Sequence, residues 1–128
     1  MSLLQKDTYC PPVWLPGGHF QTIFPTLFRT VEGVDYRREQ IILPDSDFLN
    51  LDWSYVQPNV PKYDQPLCIV THGFEGDSHR QYIMGMVRAI NQIGFDCLAW
   101  NFRSCGGMMN TQPRFYHSGA IEDLDEVV

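Results

Sequence analysis

Leu67-Cys68-Ile69-Val70-Thr71-His72-Gly73-Phe74-Glu75-Gly76 and, further on, Phe95-Asp96-Cys97-Leu98-Ala99-Trp100-Asn101-Phe102 are the two stretches that decide the fold. Each opens on or carries a near-continuous apolar run, the pattern of a parallel strand covered on both faces. Between them, Ile83, Met86, Val87, Ile90 and Ile93 recur at helical spacing within residues 79–93. Ser78 with Gln81 reads as a capping box at the start of that helix, and Gly94 as its stop. Strand, helix and strand of these lengths predict a βαβ unit with 67–72 and 96–101 parallel.

Upstream the period changes. Residues 36–43 read as a strand, and Pro44-Asp45-Ser46-Asp47 is turn chemistry. Leu49, Leu51, Trp53 and Tyr55 then alternate with polar residues, which predicts a half-buried strand and an antiparallel hairpin over 36–56 at one end of the sheet. Residues 57–66 hold three prolines and read as a loop. Pro and Gly exclude a regular element over 10–18, and 19–28 reads as a short helix broken at Pro25 or as an arm lying on the body. Near the other end, Ser118 is expected to start a helix with Ile121, Leu124 and Val128 on one face and Glu122 and Asp123 suiting its dipole. No internal repeat occurs. The class is α/β, with an arm over 1–35 and the core sheet over 36–128.

Composition narrows the function. Of the 128 residues 44% are hydrophobic and 19% charged, a globular balance, and the net charge of −6 argues against binding a phosphate backbone. No run approaches the roughly 18 apolar residues of a membrane span, so no stable membrane insertion is expected. Met1-Ser2-Leu3-Leu4-Gln5-Lys6-Asp7 has no apolar signal core. Cys10, Cys68, Cys97 and Cys105 show no paired spacing, which predicts free thiols and a cytoplasmic setting. No His and Cys spacing suits a metal, and no cofactor motif is present.

The stretch from His72 to Gly76 follows a buried strand, where open α/β sheets gather their ligands. Two readings stand: a turn whose backbone N–H groups stabilise a tetrahedral oxyanion, or a tight turn needing glycine at positive φ, with His72 in a structural hydrogen bond. Cys105 with His117 is a further nucleophile–base pairing, with Arg103 as a cationic neighbour; an inert loop thiol is the simpler reading. Trp53 and Tyr55 read as core.

Gly18-His19-Phe20-Gln21-Thr22 with Pro25, His72-Gly73-Phe74-Glu75-Gly76, Asn101-Phe102-Arg103-Ser104-Cys105-Gly106, and Tyr116-His117-Ser118-Gly119 followed by Glu122-Asp123 occur in that order. Their order and separations resemble the N-terminal half of YheT-like α/β-hydrolases. The resemblance implies the N-terminal portion of a mostly parallel sheet with helices on both faces, and ester hydrolysis by a Ser-Asp/Glu-His triad. It implies that Phe74 supplies an oxyanion-hole backbone N–H, that His72, Gly73 and Gly76 shape that loop, and that Arg103 is a structural anchor in the next one. Ser104 stands where the family usually has glycine. His117-Ser118-Gly119 would open the helix leading to the nucleophile strand.

No Gly-x-Ser-x-Gly occurs in the chain, and in this fold the triad runs Ser, acid, His. All three are therefore expected beyond Val128, and these residues alone are expected to be inactive toward a small ester substrate. The alternative is a truncated, inactive fragment that only binds or self-associates. The family's strand order puts the third strand between the fourth and the fifth, so Leu67 to Thr71 is expected to form an apolar sheet edge open to self-association.

Overall fold

The computed structural model describes residues 9–57, 65–117 and 119–128. The chain divides into two compact units, Met1–Thr30 and Val31–Val128. Most of the expected proline-rich loop, and Ser118, lie outside the described residues.

In the first unit a helix, α1, runs over Gly18–Phe28 and continues through Pro25. Only one further turn follows the proline, so the missing N–H costs one bond and the helix ends at Phe28 rather than breaking at Pro25. The Thr22 and Thr26 hydroxyls donate to Gly18 O (2.8 Å) and Thr22 O (3.0 Å) one turn earlier, and Phe24 packs between Trp14 and Phe28, with ring centroids at 5.2 and 4.9 Å.

The second unit is built on a four-stranded sheet of the described residues, in the order β1-β2-β4-β3. The hairpin pairs β1 (Arg37–Ile42) with β2 (Phe48–Ser54) in antiparallel register from Arg37 opposite Trp53 to Ile42 opposite Phe48. Its turn closes through Leu43 N–H to Asp47 O (2.8 Å) and Ser46 N–H to Leu43 O (2.9 Å), with Ser46 in the left-handed region at φ 65°. β4 (Asp96–Asn101) pairs antiparallel with β2 and parallel with β3 (Leu67–Thr71). All six β4 residues are buried, which is what a central strand's continuous apolar run requires. β3 has β4 as its one neighbour among the described strands and is exposed at both ends, with Leu67 47% exposed.

The pleat of β4 divides the core. Cys97 and Ala99 face Val70, Ile83 and Val87, so the helix α2 (Gln81–Gln92) covers one side of the sheet. Leu98 and Trp100 face Leu43, Leu49 and Leu51 on the other side, where Leu124 of the short helix α3 (Ile121–Asp125) packs. Burial of Cys97 in this apolar layer pushes its thiol up to about 12, and all four cysteines are unpaired.

Several local expectations change. α2 begins at Gln81 with Arg80 at the cap position and no side-chain cap. The expected capping box is absent because Ser78 points inward and donates to Asp52, while Gln81 accepts the Val31 N–H. Ile83 and Val87 are buried, but Met86 is 49% and Ile93 72% exposed, so the buried stripe is narrower than the periodicity. Gly94 does end the helix: at φ 91° its N–H meets Asn91 O (3.0 Å), and Phe95 N–H reaches Ile90 O (3.3 Å), the paired bonds of a Schellman motif. α3 starts only at Ile121, with Ala120 at its cap; its inward residues are Asp123 and Leu124, while Ile121 and, past the end of the helix, Val128 are exposed.

Candidate active site

β3 delivers His72 to the carboxyl end of the sheet, where the chain must turn toward α2. His72 is 4% exposed and uses both ring nitrogens. Its Nε2 accepts the Phe102 N–H at 3.1 Å, so the proton sits on Nδ1, which donates to Gly73 O at 2.7 Å. Burial holds its pKa below the ordinary imidazole value. A neutral ring of fixed tautomer therefore ties the turn after β3 to the loop after β4, and it has no proton-accepting lone pair left for a base.

The turn itself is Gly73-Phe74-Glu75-Gly76, closed by Gly76 N–H to Gly73 O at 3.0 Å. The left-handed residue is Glu75, at φ 52°, the third position of a tight turn. The glycines serve close approach instead. A Cβ on Gly76 would lie 3.0 Å from Gly73 O, 3.2 Å from His72 Nδ1 and 3.2 Å from Tyr82 Oη, and one on Gly73 would lie 3.3 Å from Tyr82 Oη.

The four amides of this turn are not equivalent. Gly73 N–H donates to Tyr82 Oη and Glu75 N–H to Tyr116 Oη, each at 2.7 Å, and Gly76 N–H is the turn bond. Among the described residues the Phe74 N–H has no hydrogen-bond partner. The Phe74 side chain is 78% exposed, its ring 5.8 Å from that of Tyr116.

A cleft of about 310 Å³ opens beside the turn. Glu75, Gly76 and Arg80 line it from the β3 side, and Cys105, Met109, Phe115 and Tyr116 from the loop after β4. It lies at the carboxyl ends of two parallel strands, the expected ligand position in an open α/β sheet.

The loop after β4 has no regular structure but is fastened at several points. Arg103 is 3% exposed and donates to both oxygens of Asp123 (2.8 and 2.9 Å), to Asp45 (2.7 Å) and to Asp47 (3.3 Å). Asp47 also accepts the Thr111 and Gln112 N–H groups at 3.2 Å. Ser104 has φ 64°, a conformation glycine adopts more easily; its hydroxyl accepts the Asn110 N–H at 3.1 Å. Because Arg103 is committed to carboxylates, it offers Cys105 no free positive charge. Burial raises the Cys105 pKa, so the thiol lacks the electropositive setting a nucleophile needs.

A second polar cluster beneath the site escaped the sequence reading. Asp52 is 1% exposed on β2 and is gripped by Arg38 through two bonds of 2.7 Å, by Asn101 Nδ2 at 2.9 Å and by the Ser78 hydroxyl. Asn101 Oδ1 in turn accepts the Ser78 N–H at 2.9 Å. Alternation marked Leu49, Leu51, Trp53 and Tyr55 as sharing one face, whereas Asn50, Asp52 and Ser54 are buried on the other. A carboxylate and two amides at alternate or strand-end positions of an otherwise apolar sheet were the available signal. Tyr82 was missed because it stands outside the apolar stripe of α2. Among the described residues no group of His, Cys, Asp and Glu could hold a metal, and no helix is long and apolar enough to cross a membrane.

No family model matches the chain. Among curated proteins, the chain is 36% identical over 105 residues to "Putative esterase YheT" of Escherichia coli, an alignment covering 82% of this chain and 30% of that protein. It is 30% identical over 126 residues to Phospholipase ABHD3 of Homo sapiens, covering 95% of this chain and 31% of that one. The chain thus spans about a third of the length of the curated relatives it matches. Among solved structures, an esterase of Pyrococcus furiosus, Pf2001, superposes with a TM-score of 0.51 at 20% identity, covering 73% of this chain and 34% of that one, which shows a shared fold. With its hairpin, its parallel βαβ unit and its helices on both faces of the sheet, the chain belongs to the YheT-like family of α/β-hydrolases.

Proposed function

We propose that these residues form the oxyanion-hole side of a carboxylic-ester hydrolase, with the Phe74 N–H as an oxyanion donor. The observation that carries this reading is the unpartnered Phe74 amide in a closed turn at the carboxyl end of β3, whose next two residues, Glu75 and Gly76, line a cleft. Such a donor stabilises the negative oxygen that forms when a serine hydroxyl adds to an ester carbonyl. His72, Gly73 and Gly76 shape the turn, and Arg103 anchors the neighbouring loop. The chain contains no Gly-x-Ser-x-Gly, and on this reading its part is the oxyanion side of the site and not the nucleophile. The named esterase and phospholipase relatives support an ester as the substrate class.

The test is a pair of substitutions in a protein that carries the nucleophile. Phe74 occupies the second position of the Gly73–Gly76 turn, where proline's φ is tolerated. Phe74→Pro therefore removes the N–H while keeping the turn, whereas Phe74→Ala keeps the N–H and removes the ring. Phe74→Pro is expected to lower kcat on a nitrophenyl ester by about 10² to 10³ with little change in KM, and Phe74→Ala to have a far smaller effect on kcat. A folded Phe74→Pro protein with full kcat would sink the assignment.

The exposed edge supports a second reading for the 128 residues on their own. β3 is apolar, has one strand neighbour among the described residues and carries no charge or proline within Leu67–Thr71, so two copies can pair along it. Light scattering is expected to report a dimer or larger species; a stable monomer at high concentration contradicts this.

A further inference from the structure

The turn from Gly73 to Gly76 presents four amides, yet an oxyanion site needs particular ones free and the others held. We propose that Tyr82 and Tyr116 are positioning residues of this turn, holding the Gly73 and Glu75 N–H groups so that the Phe74 N–H between them is the donor left for a ligand. The inference rests on the ester-hydrolase reading for its functional meaning, but its geometry stands apart from it.

The two hydroxyls come from different elements. Tyr82 is the second residue of α2 and reaches back to the turn, its Oη 2.7 Å from Gly73 N. Its position explains both glycines, since the same Oη lies where a Cβ on Gly73 or Gly76 would crowd it. Tyr116 comes from the loop after β4 and accepts from Glu75 N, also at 2.7 Å. Its ring is 7% exposed and stacks on Phe102 with centroids 4.9 Å apart and planes 12° from parallel. Phe102 gives its own N–H to His72, so the ring is fixed from the side that also fixes the start of the turn. Tyr116 is at once a wall of the cleft and the acceptor that keeps the left-handed Glu75 in place.

Each grip is a single hydroxyl oxygen, so deleting it leaves the ring and its packing in place. Tyr82→Phe and Tyr116→Phe therefore release one amide each without opening a cavity. Amide hydrogen exchange on the 128-residue chain reads the result residue by residue. Tyr82→Phe is expected to speed exchange at Gly73 about tenfold, and Tyr116→Phe at Glu75 by a similar factor, the loss of one hydrogen bond. Leu98 and Trp100, inside β4, should keep their protection in both variants, which separates a local release from general loosening. Unchanged exchange at Gly73 and Glu75, or equal acceleration throughout β4, overturns the proposal.

A second arm uses the nucleophile-bearing protein. If the tyrosines act through the Phe74 donor, Tyr116→Phe lowers kcat more than it raises KM, and adds nothing further in a Phe74→Pro background. Full additivity of the two substitutions would count against positioning. Altered exchange together with a Phe74→Pro protein of full activity would leave the tyrosine grip standing and remove the oxyanion reading, so the two failures are distinguishable.

Discussion

Arg103→Ala is expected to destabilise the second unit by about 3–5 kcal/mol, enough to move its thermal midpoint on the order of 15 °C or to leave it unfolded. The guanidinium is 3% exposed and faces three carboxylates, of which Asp47 and Asp123 are themselves buried. Alanine removes the single positive charge among them and strands two carboxylates away from water, the costly case for a buried pair. The cluster also has a structural reach that no single element shares. It joins the β1–β2 turn through Asp45 and Asp47, the loop after β4 through Arg103, and α3 through Asp123. Arg103→Lys should fall between wild type and alanine, because an ammonium cannot fork across both Asp123 oxygens while also reaching Asp45. Asp123→Ala combined with Arg103→Ala should cost less than the sum of the two, since each removes what the other leaves unpaired. Urea denaturation followed by circular dichroism measures all of these; a loss below about 1 kcal/mol for Arg103→Ala would show that the cluster does not fasten the loop.

The apolar pattern made the frame legible. Continuous runs at 67–71 and 96–101 announced parallel strands, and the alternation after Asp47 announced the hairpin; the expected cover on both faces holds for β4, whereas in β3 only Val70 is buried because the strand has one described neighbour. The edge position of Leu67–Thr71 is instead what the resemblance implies through the family's strand order, and the observed order β1-β2-β4-β3 has β3 at an edge beside the wholly buried β4. What the pattern cannot record is a polar residue placed inward to bond another. Ser78 looked like a helix cap because a serine before a helix most often satisfies the helix's own amides; here it satisfies Asp52 and Asn101 instead. Asp123 looked like a charge suited to the start of a helix, and its partner lies 20 residues away in Arg103. The turn from His72 to Gly76 was visible as glycine chemistry, but the reason for its glycines was not. That reason is the Tyr82 hydroxyl and the turn's own carbonyl pressing on them, contacts that exist only once α2 folds back over the turn.

Asp52→Ala is expected to cost about 3 kcal/mol at neutral pH. The lost carboxylate leaves the Asn101 amide and the Ser78 hydroxyl, both buried, without their charged acceptor. Arg38 suffers less, since its side chain is 42% exposed and can turn to water. The dependence on pH follows from the direction of the shift. Burial opposes ionisation of Asp52, but the bonds from Arg38, Ser78 and Asn101 outweigh it, and the folded-state pKa lies below the ordinary carboxylate value. A carboxylate depressed in this way contributes its full stabilisation above its unfolded pKa of about 3.9 and loses it as pH falls through the lower, folded value. The gap between wild type and Asp52→Ala should therefore be widest at pH 7 and shrink on acidification below about pH 4. Urea midpoints at several pH values from neutral down to about pH 2, below the unfolded carboxylate pKa, test it, and a gap that stays constant across that series would mean that charge on Asp52 is not what holds Ser78 and Asn101. Ser78 sits between the Gly73–Gly76 turn and α2, and its N–H and hydroxyl are both fixed by this cluster. Loss of Asp52 should accordingly loosen the approach to α2, and with it Tyr82, before it disturbs the β1–β2 hairpin. Faster amide exchange at Ser78 and Gly73 than at Leu51 in the Asp52→Ala protein is the expected order; the reverse order would place the damage in the sheet.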